Sequence, residues 1–285
     1  MQASDQFRKF LFEHSQIRGA WVHLTDSYGA ILNQTDYPQP VARLLGESLA
    51  ASVLMSSTLK FSGSLSLQAN GEGPVTTLLA ESSHDRYVRA IARFEEGAAN
   101  TEGSLNDLLG QGRMAITITP EKGQRYQGVV PREADSLAGA LEEYFDRSEQ
   151  LATRLFLFAD GRQCAGLLIQ RLPGATEEDD ELWQRVEHLA ATISARELLE
   201  LDSEIVLHRL FHEEEVRLFD REPVAFRCSC SRERTLAALA SLGKDECYSI
   251  LEEQGTIEMD CQFCHASYRF QRIDIDQLFS GHTLH

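Results

Sequence analysis

Five of the six cysteines in this 285-residue chain fall in its last 58 residues. Four of them form two tight pairs, Cys228-Ser-Cys230 and Cys261-Gln-Phe-Cys264, with 30 residues between the pairs. No other feature restricts the fold of the tail as strongly. A segment of roughly 60 residues is too short to build a strong apolar core, so it needs a covalent or metal clasp. The N-terminus, MQASDQFRKFLFEHSQIRG, carries charges throughout and lacks the apolar core of a secretory signal, so a cytoplasmic location is expected. Stable disulfides are rare there, and paired cysteines more often hold metal or do redox chemistry. No run reaches the ~18 apolar residues of a membrane span, and no membrane partner is expected.

Two thiolate pairs converging from separate turns supply four sulfur ligands, the set that suits tetrahedral zinc. Cys228, Cys230, Cys261 and Cys264 are therefore the expected ligands of one Zn2+ per chain in the reduced state. Such a site is closed and leaves no position for an activated water, so the metal is not expected to be catalytic and the chain is not expected to be an enzyme. The C-x-C pair departs from the two to four intervening residues usual in structural zinc sites. Two readings of the metal stay open. It could be a passive staple, or it could be a sensor, because oxidants attack thiolate sulfur. Structural zinc contributes ~10–16 kcal/mol to small-domain folding, against a whole-domain stability of ~5–15 kcal/mol, so its loss should unfold the tail.

The remaining candidates are weaker. Cys247, in DECYSIL, reads as a packed or partly exposed thiol and not as a fifth ligand; Cys164 reads as a small apolar residue in a strand. His265 adjoins Cys264, but four thiolates already satisfy a metal. His208 and His212 have helical i, i+4 spacing without the glutamate of a zinc-protease motif, and read as helix-surface residues. Gly71-Glu72-Gly73 lacks the Lys-Ser/Thr of a phosphate loop.

Charge narrows the partners. Asp and Glu number 44 against 27 Lys and Arg, a net charge of -17 that repels a phosphate backbone and argues against nucleic acid. Residues 175–222 hold 15 acidic and 5 basic residues. This imbalance sets off an acidic helical linker (175–222) between an N-terminal core domain (1–174) and a C-terminal zinc-binding domain (223–285), which is a redox-switch domain if the metal is a sensor. The fold class is α+β, with an N-terminal α/β domain built on a largely antiparallel sheet.

In the first domain, alternating apolar residues mark strands at Trp21–Leu24, Leu65–Ala69 and Met114–Ile118, with Met114, Ile116 and Ile118 on one face. Asn70-Gly71 and Asp160-Gly161 signal hairpin turns. A helix after Pro38 and Pro40 is apolar on too many sides for one stripe and should be largely buried. A second begins near Asp135 or Ser136, with Leu137, Ala140, Leu141, Tyr144 and Phe145 on its packed face.

In the linker, Thr176 is the expected N-cap of a helix whose first turn is acidic, and Leu182, Val186, Leu189 and Ile193 form its expected apolar stripe. Another helix from about Ser203 carries Val206, Leu207, Leu210 and Phe211. Each helix needs a partner surface to be stable. The segment is either a solvated acidic connector or one whose folding depends on its neighbours.

Several long segments carry a family resemblance: RLFHEEEVRLFDREPVAFRCSCSRER, SLGKDECYSILEEQGTIEMDCQFCHASYRF, YQGVVP, YFDRSEQLATRLFLFA and the GEGP turn at Gly71–Pro74. On these, and on its C-x-C, 30 residues, C-x-x-C spacing, the chain resembles the 33-kDa heat-shock protein family of redox-regulated holdase chaperones over nearly its full length. The resemblance implies an ATP-independent chaperone that binds unfolding proteins under oxidative stress. It implies that Cys228 pairs with Cys230 and Cys261 with Cys264 on oxidation, that zinc leaves, and that the C-terminal domain and linker unfold. It further implies that the oxidised form is a homodimer. Cys247 lies outside the family's ligand set. The stripe of Leu182, Val186, Leu189 and Ile193 is then the candidate client-binding surface, with the acidic excess keeping the opened form soluble. The competing functions are a zinc-ribbon nucleic-acid adaptor, disfavoured by 6 basic against 9 acidic residues in 223–285, and a thiol-disulfide oxidoreductase using Cys261 and Cys264.

Overall fold

The computed structural model describes residues 5–59, 62–95, 104–131 and 133–280. The chain divides into two compact units, the first ending at Arg227 and the second beginning at Cys228. The first unit runs β1 (Gln6–Phe12), β2 (Ile17–Leu24), α1 (Asp26–Leu32), α2 (Gln39–Ser56), β3 (Gly63–Gly71), β4 (Val75–Ser83), β5 (Tyr87–Phe94), α3 (Leu105–Leu109), β6 (Gly112–Pro120), β7 (Tyr126–Val130) and α4 (Leu137–Tyr144). It continues through β8 (Thr153–Ala159), β9 (Cys164–Arg171), α5 (Glu177–Ala190), α6 (Ala195–Glu200), α7 (Ser203–Phe211), β10 (Val216–Pro223) and β11 (Ala225–Phe226). The fold is α+β with antiparallel sheets, as the hairpin signals require. The described residues of this unit form two sheets, ordered β10-β1-β2-β9-β8 and β11-β5-β4-β3-β6-β7, and the pairing of β11 with β5 is parallel.

Helix α2 holds the two sheets together. It starts at Pro38 with Pro40 in its first turn, where a missing N–H costs nothing. From Val41 to Ser56 only Arg43 and Glu47 escape full burial, because strands of one sheet cover one side of the helix and strands of the other cover the opposite side. Its buried hydroxyls stay satisfied within the helix: Ser48 donates to the carbonyl of Leu44 and Ser52 to that of Leu49, both at 2.7 Å. Helix α4 is capped by Ser136 and buries Leu137, Ala140, Leu141 and Tyr144, followed by Phe145 in a π-turn.

The two expected hairpins differ in their turns. Asp160-Gly161 joins β8 to β9, with Gly161 at φ +86° and the Asp160 carboxylate accepting the N–H groups of Arg162 and Gln163. The Asn70-Gly71 expectation is corrected. The β3–β4 ladder continues through Asn70, paired with Thr77, so the turn is Glu72–Pro74. Gly71 is needed there for close approach, since a Cβ on it would lie 2.1 Å from the Leu109 carbonyl oxygen. Met114 and Ile116 are buried on β6, with Ile118 half-buried beside them.

Residues 175–222 are not a solvated connector. Helices α5 to α7 pack across the five-stranded sheet, where Phe10, Phe12, Trp21, Leu167 and Ile169 share one core with Trp183, Val186, Leu198, Val206 and Phe211. Val206, Leu207, Leu210 and Phe211 are buried as their spacing predicts. The stripe on α5 needs correction. Val186 and Ile193 are buried and Leu182 is half-buried, but Leu189 is 37% exposed. Trp183 is the largest apolar side chain on the helix and turns its own face inward, so the buried line is Trp183, Val186 and Ala190, and the helix ends before Ile193. Ion pairs put part of the acidic excess to use: Glu204 meets Arg8 at 2.7 Å, and Glu187 accepts from the Arg154 guanidinium at 2.6 Å. After α7 the chain returns as β10 to the edge of the first sheet, pairing Val216 with Phe12 and Pro223 with Gln6.

The second unit contains α8 (Arg232–Leu242), α9 (Lys244–Gln254), β12 (Ile257–Asp260), β13 (Ser267–Phe270) and α10 (Arg272–Phe279). Its core is small, built on Leu239, Cys247, Leu251, Ile257, Phe270 and Ile275.

Candidate metal centre

Each cysteine pair is held by local main-chain geometry. Cys228 and Cys230 lie in the irregular segment just before α8, whose N-cap Ser231 accepts the N–H of Arg234 at 3.2 Å. The Arg234 side chain reaches back and donates to the Ser229 carbonyl at 2.9 Å, fixing the residue between the two thiols. Cys261 and Cys264 occupy the turn between β12 and β13. The Cys261 N–H donates to Ala266 O at 2.9 Å and the His265 N–H to Cys261 O at 2.8 Å, and His265 takes a left-handed φ of +54° to close the turn.

These turns bring all four sulfurs within 4.8 Å of one another. The Cys228 and Cys261 sulfurs are 3.5 Å apart and those of Cys230 and Cys264 are 3.4 Å apart. Neither distance is that of a disulfide, whose sulfurs lie ~2.05 Å apart. Four sulfurs placed ~2.3 Å from one tetrahedral zinc would be separated by ~3.8 Å, and the observed spacings fit such an ion. Among the described residues this is the one group of three or more side chains positioned to hold a metal.

The four sulfurs are electrostatically unequal. The Tyr268 hydroxyl donates to the Cys230 sulfur at 3.1 Å, and this bond holds the Cys230 thiol down at about 7. Burial pushes Cys264 up to about 12 and raises Cys228 as well. The same hydrogen bond pushes the Tyr268 hydroxyl itself up to about 12. Sequence reasoning missed Tyr268, which belongs to no ligand spacing; the strand that carries it, directly after the second cysteine turn, was the available signal.

The other candidates lie elsewhere. Cys247 is fully buried in the core of the second unit, its thiol 3.5 Å from the Leu239 carbonyl, and Cys164 is fully buried on β9. His265 is exposed, and the ring of His208 on α7 stands 6.0 Å from that of His212, the C-cap of the helix. Gly71 and Gly73 press against the backbone at Leu109 and Gly110, leaving no phosphate cradle.

A family model described as Hsp33 protein matches residues 5–271. The chain belongs to the Hsp33 family. Among its relatives, the 33 kDa chaperonin of Hahella chejuensis (strain KCTC 2396) is 50% identical over 285 residues, covering 99% of each chain. That of Pseudomonas paraeruginosa (strain DSM 24068 / PA7) is 49% identical over 286 residues, covering 99% of this chain and 96% of the relative. The crystal structure of the Hsp33 homologue from Thermotoga maritima superposes with a TM-score of 0.81 at 21% identity, over 96% of this chain and 98% of the other. The Hsp33 fold therefore extends over both units described above. No helix among the described residues of this Hsp33 chain is long and apolar enough to cross a membrane.

Proposed function

We propose that this chain is a redox-regulated, ATP-independent holdase that binds unfolding proteins under oxidative stress. One observation carries the reading: four free cysteine sulfurs lie within 4.8 Å of one another in a unit with a core of six buried side chains. Bound there, one Zn2+ per chain would supply the cross-link that so small a core lacks. Cys228, Cys230, Cys261 and Cys264 hold it as thiolates in the reduced state.

On oxidation Cys228 pairs with Cys230 and Cys261 with Cys264, and the four sulfurs can no longer serve as a ligand set. The second unit then loses its clasp and unfolds. Cys228 follows the short strand β11 after a single residue, so unfolding of 223–285 reaches directly into the end of the 175–222 segment. Release of α5 to α7 from the sheet exposes Trp183, Val186 and Ile193 together with Leu182 and the already accessible Leu189. Apolar surface of this kind binds clients with little sequence preference. Residues 1–174 remain folded as the scaffold, the opened form is a homodimer, and the acidic excess keeps it soluble in the cytoplasm.

The test compares two redox states of one preparation. Reduced, zinc-loaded protein should leave a chemically unfolded client to aggregate, and the same protein treated with peroxide under mildly unfolding conditions should suppress that aggregation. Equal suppression in both states contradicts the reading.

A further inference from the structure

The four sulfurs face one another in two pairs, and at Cys230 a side chain from outside the cysteine set joins them. The Cys228 sulfur lies against that of Cys261 and the Cys230 sulfur against that of Cys264. Cys230 also receives a side-chain hydroxyl, that of Tyr268 at 3.1 Å. The hydroxyl's position is set by β13, where Tyr268 pairs with Met259 across the ladder and its ring packs half-buried against the core of the second unit. The donor is thus held by the strand and not by the cysteine turn.

A sulfur lone pair engaged by an O–H is less available to an electrophile, and groups one shell beyond a metal's ligands tune those ligands in this way. We propose that Tyr268 is a positioning residue that shields the Cys230 sulfur from oxidant and so sets how much peroxide the centre withstands before it opens. The inference rests on the reading of the four cysteines as zinc ligands.

The chemistry concerned needs hydrogen peroxide as its oxidant. A thiolate sulfur attacks one peroxide oxygen; the S–O bond forms, the O–O bond breaks and hydroxide leaves, so that sulfur is oxidised to a sulfenic acid as peroxide is reduced by two electrons. A neighbouring thiolate then attacks that sulfur; the S–S bond forms, the S–O bond breaks and a second hydroxide leaves. The Tyr268 hydroxyl opposes the first attack at Cys230.

The test uses full-length, zinc-loaded, reduced protein and its Tyr268→Phe variant, which keeps the ring and removes the donor. Zinc release under excess peroxide is followed with a colorimetric chelator, and sulfenic acid is trapped with dimedone and located by mass spectrometry. Zinc release should be roughly threefold to tenfold faster in the variant, the range that loss of one net hydrogen bond allows. The dimedone adduct should rise at Cys230 relative to Cys261, and the resting zinc content should stay at one per chain. A Met259→Ala variant, which loosens the paired strand but keeps the hydroxyl, should show no selective rise at Cys230. An unchanged release rate, an equal rise at all four cysteines, a variant that no longer holds zinc, or the same selective rise in Met259→Ala would each overturn the role of Tyr268. Wild-type protein that holds no zinc would instead remove the underlying reading of the four cysteines.

Discussion

Asp179 on α5 accepts the main-chain N–H of Gln16, in the turn between β1 and β2, at 2.9 Å through Oδ1. Its other oxygen accepts the N–H of Thr176 at 2.7 Å, so one side chain both caps the helix and fastens it to the sheet. Replacing it should free the first turn of α5 and loosen the docking of the acidic segment. Asp179→Ala is expected to cost ~1–3 kcal/mol, the range for a hydrogen bond to a charged group. Amide hydrogen exchange should quicken from Glu181 to Ala190 and stay unchanged in β3 and β6. Unchanged exchange on α5 would show that the contact does not hold the helix.

The same carboxylate gives a pH dependence. The N–H groups of Thr176 and Gln16 lower its pKa from the ordinary 3.8. A group with a depressed folded-state value contributes stability above its unfolded value, and that contribution disappears as pH falls through the folded one. Docking of α5 should therefore weaken below about pH 4, read by tryptophan fluorescence from Trp183, and Asp179→Ala should lack this acid-dependent step.

Trp183 should dominate the interface between α5 and the sheet. It is 7% exposed, and its replacement by Ala should cost ~3 kcal/mol or more by loss of packing. Leu189→Ala, at the exposed position, should change stability by no more than ~0.5 kcal/mol. If the docked face is what clients bind, reduced Trp183→Ala should suppress aggregation partly without oxidant, whereas Leu189→Ala should stay silent until oxidised.

Glu47 is a second pH-sensitive site, on the central helix. Burial pushes its pKa up to about 7 from the ordinary 4.5. The fold therefore favours its protonated form, and its contribution to stability declines as pH rises from about 4.5 through about 7. Glu47→Gln should raise stability at pH 8 by ~1–2 kcal/mol, after discount for partial exposure, and should leave it unchanged near pH 4.5. Denaturant unfolding at the two pH values checks this, and a loss at pH 8 would contradict it.

Cys247 and Cys261 should separate a core thiol from a ligand. Cys247→Ala removes a small buried group, at a cost of ~1–2 kcal/mol, and should retain one metal per chain. Cys261→Ser should retain none, and 228–275 should lose exchange protection as a block while the β3–β6 ladder keeps its own.

What could be read from the sequence was local. The spacing of Leu137, Ala140, Leu141 and Tyr144, the cap at Thr176, the Asp160-Gly161 turn and the four-cysteine pattern each lie within a few residues of their partners or follow a ligand spacing, and the structure contains them all. What depended on distant partners was not legible. The pairing of β1 with β10 joins Gln6 to Pro223, and nothing in either segment specifies the other. The division into two sheets follows from α2 being covered on both sides. The choice of Trp183 over Leu189 as the buried residue is made by the sheet surface that receives the helix, and Tyr268 acquires its role only when β13 carries its hydroxyl to Cys230.

Hydrogen exchange recorded on one sample during peroxide oxidation, with released zinc measured by chelator in parallel, tests the coupling most directly. Peptides spanning 177–211 and 228–275 should lose protection in step with zinc release, while β3, β4 and β6 stay protected. Retained protection over 177–211 after the four thiols are oxidised and the metal is gone would contradict the account.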